Sequence, residues 1–292
     1  MLKRTNGIPE IVACTLTWGT ISPIVRTLDS PARVIVAFRL GVGALTILAI
    51  AAATGRWRSL RPHARPVLLV GSGLTLAIHW GMLFVAYKRL EPAAAVGLVF
   101  IGPVLAAFLA PFVLGERPRL KALAALGVAL VGVGFITVPG FGALDGLGVL
   151  AALGAAVTFA GLILMGKLLT EHYPPFTLTA WQLGIAAIPA VSGLAAGTQG
   201  VAADWPILVT LGAVHTGIAG LLFFRALGML EAQTIGTLFY LEPASAVIYA
   251  WIFLASAPTL AIAAGFALIV GAGLAIIFDR ESPPPTTVPG AA

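Results

Sequence analysis

The stretch LEPAAAVGLVFIGPVLAAFLAPFVLGERPRL, Leu90 to Leu120, decides the fold because the chain returns to its pattern 140 residues later. Leu90-Glu91 recurs as Leu230-Glu231, Pro103 as Pro243, and Pro118-Arg119-Leu120 as Pro258-Thr259-Leu260, all at an offset of 140. Upstream, Phe38-Arg39-Leu40-Gly41 recurs as Trp181-Gln182-Leu183-Gly184 at an offset of 143, with a linker from Pro139 to Gly142 between the copies. Within the quoted stretch, Pro92 to Leu114 is one apolar run, and about 20 such residues suffice to cross a bilayer.

The rest of the chain has the same character. Of 292 residues, 59% are hydrophobic and 10% charged, where soluble domains carry about 25% charged residues. The 34 Gly and 20 Pro sit among Leu, Ala, Val and Ile, which argues against disorder. Long continuous runs also argue against a membrane barrel, whose strands alternate over short stretches. A hydropathy reading predicts ten helices, at Ile8–Val25, Arg33–Thr54, Ala64–Tyr87, Pro92–Leu114, Arg119–Val138, Leu144–Leu169, Pro175–Gly197, Trp205–Gly228, Ala232–Leu254 and Pro258–Phe278. Pro92, Pro118 and Pro258 fall at helix starts, where a missing N–H costs little. The expected organisation is therefore an all-α polytopic membrane protein, with a first five-helix repeat over 1–139, a second over 140–279 and a disordered Pro-rich tail over 280–292.

Charge gives an orientation. One set of loops receives 12 Lys and Arg and the other four, with Arg39 inside a helix, out of 17 in all. The positive-inside rule then places both termini in the cytoplasm, and the net charge of +6 reads as attraction to anionic lipid, with no nucleic-acid partner. Lys3 and Arg4 before an apolar run imitate a signal peptide, but nine further spans and no small-residue cleavage site make it an uncleaved first helix. Cys14 is the single cysteine, and no Cys/His cluster has metal-ligand spacing, so neither a metal nor a cofactor is expected. Because each repeat has an odd number of spans, the second copy enters the membrane upside down, the arrangement by which transporters build two oppositely open states around a central cavity.

Polar groups deep in a membrane are candidates for function. At about 1.5 Å per residue, Trp18, Pro103, His215 and Glu242 lie ~14–16 Å from their helix starts, near the midplane; His79 lies ~22 Å in, and Arg39 only ~9 Å from its outer end. Pro103 and Pro243 break matching helices at matching depth and read as hinges or cavity-lining kinks, or as static kinks repacked by neighbours. Glu242 heads a stripe with Ser245 and Tyr249; it is either a proton carrier or a partner for the carbonyls freed by Pro243. His79 shares a face with Thr75, Leu83 and Tyr87, a mixture that suits an amphipathic substrate, although a lone helical histidine is commonly a packing residue. His215 is flanked by Gly217 and Gly220, which suggest tight packing. Trp18, Trp181 and Gln182 come from spans that surround the expected cavity, and a lipid-facing Trp181 is the alternative. Arg39 either attracts an anion or snorkels to the surface. The row Ala267, Gly271, Ala275 permits close helix contact, within the bundle or between subunits.

Enzyme signatures are absent. Gly161 to Lys167 imitates a phosphate-binding loop, but Leu168 stands where Ser or Thr is needed and the segment lies in an apolar span.

Together, Trp18-Gly19, Arg39, Tyr87 through Ala93, Pro103 with Gly115-Glu116-Arg117, and Leu241-Glu242-Pro243 resemble the drug/metabolite transporter superfamily, in its ten-span EamA branch, over about 270 residues. The sequence is most similar to the aromatic amino-acid exporters of the YddG type. That resemblance implies a basket-like ten-helix monomer in a bacterial inner membrane, exporting amino acids with aromatic or large apolar side chains by alternating access. By resemblance and depth, His79, Trp18, Trp181, Gln182 and Glu242 are expected at the cavity. A broader drug/metabolite or nucleotide-sugar carrier of the same fold is the alternative, with a channel or membrane enzyme further off. One departure is Ala255-Ser256-Ala257 in place of a second Gly-Glu-Arg, so no role of Glu116 carries to the second repeat.

Overall fold

The computed structural model describes residues 7–25, 27–90, 92–138, 145–255 and 257–278. The linker Pro139 to Gly142, the tail 280–292 and the basic residues Lys3, Arg4 and Arg26 lie outside them. Ten helices are long and apolar enough to cross a membrane: Ile8–Val25, Ala32–Thr54, Pro66–Arg89, Ala94–Leu114, Leu120–Thr137, Gly146–Thr170, Pro175–Ala195, Val201–Met229, Ala232–Phe253 and Leu260–Ile277, here spans 1 to 10. No strand occurs among the described residues. The face from which span 1 starts is called proximal, the other distal.

Local chemistry sets several boundaries. Pro66 and Pro175 open spans 3 and 7 from the first helical positions, and Thr259 Oγ1 accepts from Ile262 N–H at 3.3 Å to cap span 10. Gly115 ends span 4 in the left-handed region, with φ +67°. Ala255 takes the same conformation, φ +52°, at the equivalent end of span 9. The turn has thus been kept although its glycine has not, at a cost of about 1–2 kcal/mol for a residue with a Cβ.

Two spans are interrupted at matching points. Span 4 is built from Pro92–Val99 and Ile101–Leu114, and span 9 from Ala232–Phe239 and Leu241–Leu254, so the breaks fall at Phe100 and Tyr240. Pro103 and Pro243 each stand third in the second segment, where their missing N–H removes a bond to the segment before.

Spans 3 and 6, 4 and 6, and 5 and 10 form the broadest contacts, with span 1 held between 8 and 9. Without a hydrophobic drive between helices in lipid, such contacts depend on close backbone approach. The spans 5 and 10 meet at Gly132 and Gly265: a Cβ on Gly265 would sit 2.5 Å from the Gly132 carbonyl oxygen. The row Ala267, Gly271, Ala275 instead faces away from the bundle, with nothing within 4 Å of a Cβ at Gly271. Gly265→Leu is expected to destabilise the purified protein by about 1–3 kcal/mol through overpacking and to lower its melting temperature in detergent. Gly271→Leu, read in the same assay, is expected to leave it unchanged.

Candidate functional site

Spans 1, 4, 6, 8 and 9 bring an aromatic layer to the middle of the bundle. Trp18 lies 5.5 Å from Phe239 and 5.9 Å from Phe223; Phe159 lies 5.0 Å from Phe239 and 6.4 Å from Phe100. At its centre the two helix breaks meet. Tyr240 donates its hydroxyl hydrogen to the Phe100 carbonyl at 2.6 Å, with the rings 5.6 Å apart. A backbone group exposed by a break in a membrane needs such a partner, and here each repeat supplies one half of the bond.

Span 8 carries a second irregularity, a π-helical turn at Ala213–Ile218. Extra turns of this kind leave carbonyls without helical partners and recur at functional sites. Trp18 Nε1 donates to the His215 carbonyl at 2.7 Å, and the His215 ring lies 2.8 Å from Thr20 Oγ1 and 3.3 Å from the Thr210 carbonyl. Thr216 Oγ1 donates to the Leu211 carbonyl and accepts from Arg39 Nε at 3.2 Å. The Arg39 guanidinium also sits 4.4 Å above the Trp80 ring. It is thus turned into the bundle, and the snorkelling reading of the sequence does not hold. Gly19 explains its pairing with Trp18: a Cβ there would stand 1.9 Å from Ser245 Oγ and 2.9 Å from the Glu242 carbonyl oxygen, so only glycine lets span 1 reach span 9.

Above the aromatic layer, Arg39, Tyr87 and Glu242 are close enough to feel one another's charge. Tyr87 is 36% exposed, with its ring 6.2 Å from Phe84 on the same span. The Glu242 carboxylate makes no hydrogen bond among the described residues, so the expected bond to carbonyls freed by Pro243 is not made. Nor is it sealed: the buried, unpartnered side-chain polar atoms among the described residues are Ser30 Oγ and His172 Nε2. Ser245, expected in a polar stripe, turns its hydroxyl to the Glu242 backbone carbonyl at 2.9 Å. Tyr249 stacks on Phe253 at 6.2 Å.

His79 is buried between spans 3 and 6, with Nδ1 2.9 Å from the Ala155 carbonyl and 3.2 Å from Thr158 Oγ1. Because a carbonyl can only accept, Nδ1 carries a hydrogen, and in the neutral ring Nε2 is an acceptor. Gln182 is buried, and its amide makes no hydrogen bond among the described residues. Trp181 lies nearer the proximal face, its Nε1 donating to the Leu60 carbonyl at 2.7 Å, where it anchors the loop between spans 2 and 3. An apolar recess of about 260 Å³ between spans 9 and 10, lined by Val247, Trp251 and Phe266 among others, lies apart from all of these groups.

The two ends of the cavity differ. On the proximal face, the first segment of span 9 packs against the second segment of span 4, with Gly236 set against Pro103. The pseudo-symmetric distal pair, the first segment of span 4 and the second of span 9, makes no contact of comparable breadth among the described residues. The proximal contact is tied by a polar clasp: the Ala232 N–H donates to both Glu116 oxygens at 2.9 and 3.1 Å, and Lys167 stands 4.0 Å from the same carboxylate. Lys167 also donates to the Leu227 carbonyl at 2.9 Å and to the Leu230 carbonyl, closing the end of span 8. Arg119 N donates to Gln233 Oε1 at 2.9 Å and pairs with Glu231 at 3.4 Å. At the equivalent positions on the distal side the sequence has Pro92, without an N–H, for Ala232 and Ser256, without a carboxylate, for Glu116. The clasp has no distal copy.

These features define a transporter built of two inverted repeats. The model of the EamA-like transporter family matches the chain twice, over residues 5–138 and 146–278, and the protein belongs to that family. It is 25% identical over 96% of its length, and 91% of the relative's, to the uncharacterized transporter YxxF of Bacillus subtilis. Identity is also 25% over 96% of the chain, and 95% of the relative, to a protein of Streptantibioticus cattleyicolor named a probable terminal-alkyne amino-acid exporter. A crystal structure covering 94% of this chain and 97% of its own, at 24% identity, superposes with a TM-score of 0.83 and shares the fold. The relatives are named as transporters, and the chain is a multi-pass membrane transporter, not an enzyme.

Burial holds the Glu116 carboxyl above the ordinary carboxylate range; the Ala232 N–H and Lys167 draw it partly back, and Glu231 adds to the rise. When the clasp opens, Glu116 meets water and returns to its ordinary value, so the closed clasp is the state that binds the proton more tightly. Acidification through that range therefore favours the closed proximal face, and rising pH favours its opening. Transport measured in proteoliposomes is expected to slow as pH falls into this range, and Glu116→Gln, which mimics the protonated form, is expected to be slow and flat with pH. An unchanged pH profile in Glu116→Gln would contradict this role.

Proposed function

We propose that the protein is a secondary exporter of amino acids with aromatic or large apolar side chains and related amphipathic metabolites, working by alternating access. The observation that carries this reading is the nearness of charged and hydroxyl groups, Arg39, Glu242 and Tyr87, to an aromatic layer of Trp18, Phe159, Phe223 and Phe239 in the middle of a bundle whose proximal end is closed by spans 4 and 9. An amino acid presents that combination, a charged end and an apolar end, and sites for such ligands set a few polar groups among apolar walls. The relative named for amino-acid export supports the same class. The excess of Lys and Arg on the proximal loops supports a cytoplasmic proximal face and cytoplasmic termini, in the inner membrane of a bacterium. On this reading the closed proximal face is the cytoplasmic one, and the protein acts as a monomer.

Counterflow of labelled phenylalanine, tryptophan or methionine into proteoliposomes tests this directly. Accumulation above empty liposomes, saturable and competed by unlabelled substrate without added nucleotide, is the expected result. His79→Ala is expected to weaken it, by removing the Nε2 acceptor. If folded protein moves no amino acid, the substrate class is wrong.

A further inference from the structure

Two opposite charges lie within reach of each other's field without meeting. Arg39 enters from span 2, fixed from behind by Thr216 Oγ1 at 3.2 Å and from below by the Trp80 ring at 4.4 Å. Glu242 enters from span 9, at the first turn after the Tyr240 break, half-buried and with no hydrogen bond to its carboxylate among the described residues. Each senses the other's charge, yet no ion pair joins them among the described residues. In a low-dielectric interior, opposite charges left apart lose attraction that direct contact would supply. Thr216 and Trp80 hold Arg39 from its own side of the bundle. A group carrying both charges at one end offers each of them a charge-assisted bond, of about 2.8 Å in such pairs.

We infer that Arg39 and Glu242 together form a zwitterion clamp, Arg39 taking the α-carboxylate and Glu242 the α-ammonium of one amino acid. This deepens the proposed function and rests on it. Arg39 offers a forked donor suited to a carboxylate. Tyr87, which shares the electrostatic neighbourhood of both, is placed to hydrogen-bond the same end of the substrate. The side chain then projects toward the half-buried Trp18 and Phe159. The clamp selects by subtraction: a simple amine leaves Arg39 facing an apolar group, and a simple acid leaves Glu242 so. Each unpartnered charge is penalised, so single-charge analogues are excluded even when their aromatic part is identical.

The test uses three substrates that differ only in these groups: phenylalanine, phenethylamine and 3-phenylpropionate, each in counterflow with wild type, Arg39→Gln and Glu242→Gln, after folding is checked by size exclusion and thermal melting. Wild type is expected to move phenylalanine about tenfold or more faster than either analogue. Arg39→Gln is expected to lose phenylalanine flux by a similar factor while its preference shifts toward phenethylamine, and Glu242→Gln to shift toward 3-phenylpropionate. Arg39→Lys and Glu242→Asp, which keep the charges, are expected to raise KM several-fold with little change in turnover, a split that a packing defect does not give. If wild type moves phenylalanine but the variants keep its preference, or lose all three substrates alike with no such split in the conservative pair, the clamp is wrong while amino-acid transport stands. If wild type moves none of the three and no other amino acid, the proposed function fails and the clamp with it.

Discussion

A backbone carbonyl has no water to turn to at the middle of a membrane, and the matching breaks of spans 4 and 9 are organised by that constraint. Pro103 and Pro243 interrupt spans 4 and 9 at one depth, and the Phe100 carbonyl at the first break is satisfied by the Tyr240 hydroxyl at the second. The bond ties the repeats at their pseudo-symmetry centre and leaves the segments on either side of it separate helices. Where Gly236 allows it, the proximal segments close on each other, and the distal ones have no contact of comparable breadth among the described residues. The aromatic layer lies at the level of these breaks, and Glu242 stands beside it because it falls in the first turn after the Tyr240 break.

Symmetry in the fold is not matched by symmetry in the interactions. The proximal face has the clasp of Glu116, Lys167, Gln233 and the Ala232 N–H, whereas Pro92 and Ser256 deny the distal side the same bonds. Two states that a pure duplication would make equal in energy are thus biased toward the one closed proximally. A transporter with such a bias waits open on one side and needs binding energy from its substrate to release the other, since a ligand shifts a two-state equilibrium only by its differential affinity.

Much of the fold was legible. Each span is an apolar run long enough to cross a bilayer, and the 140-residue echo of Leu90-Glu91, Pro103 and Pro118 marks the duplication in the sequence itself. The site was less so. Helical rise gives depth, which singles out Glu242 and Trp18; it gives no rotation, which leaves Arg39 open between attracting an anion and snorkelling, where the structure turns it onto Trp80. Trp181 has the depth and type of a cavity residue, but its indole is taken by the Leu60 carbonyl, a partner in a loop that no spacing rule connects to span 7. Phe159, Phe223 and Phe239 gave no signal, because a phenylalanine in an apolar span is identical in sequence whether it faces lipid or another ring. The π-helical turn at Ala213–Ile218 was equally silent.

The central claim is that the two ends of one cavity open in turn about the Phe100 and Tyr240 breaks. Spin labels at the exposed positions Lys88 and Trp251 report the distal end, and labels at Arg117 and Met229 the proximal end, in a Cys14→Ser background. Double electron–electron resonance in liposomes, with and without saturating phenylalanine, measures both distances. The expected result is a reciprocal change, with a shorter distal population and a longer proximal one appearing together on addition of substrate. Distances that stay fixed at both ends, or that lengthen at both, would contradict it.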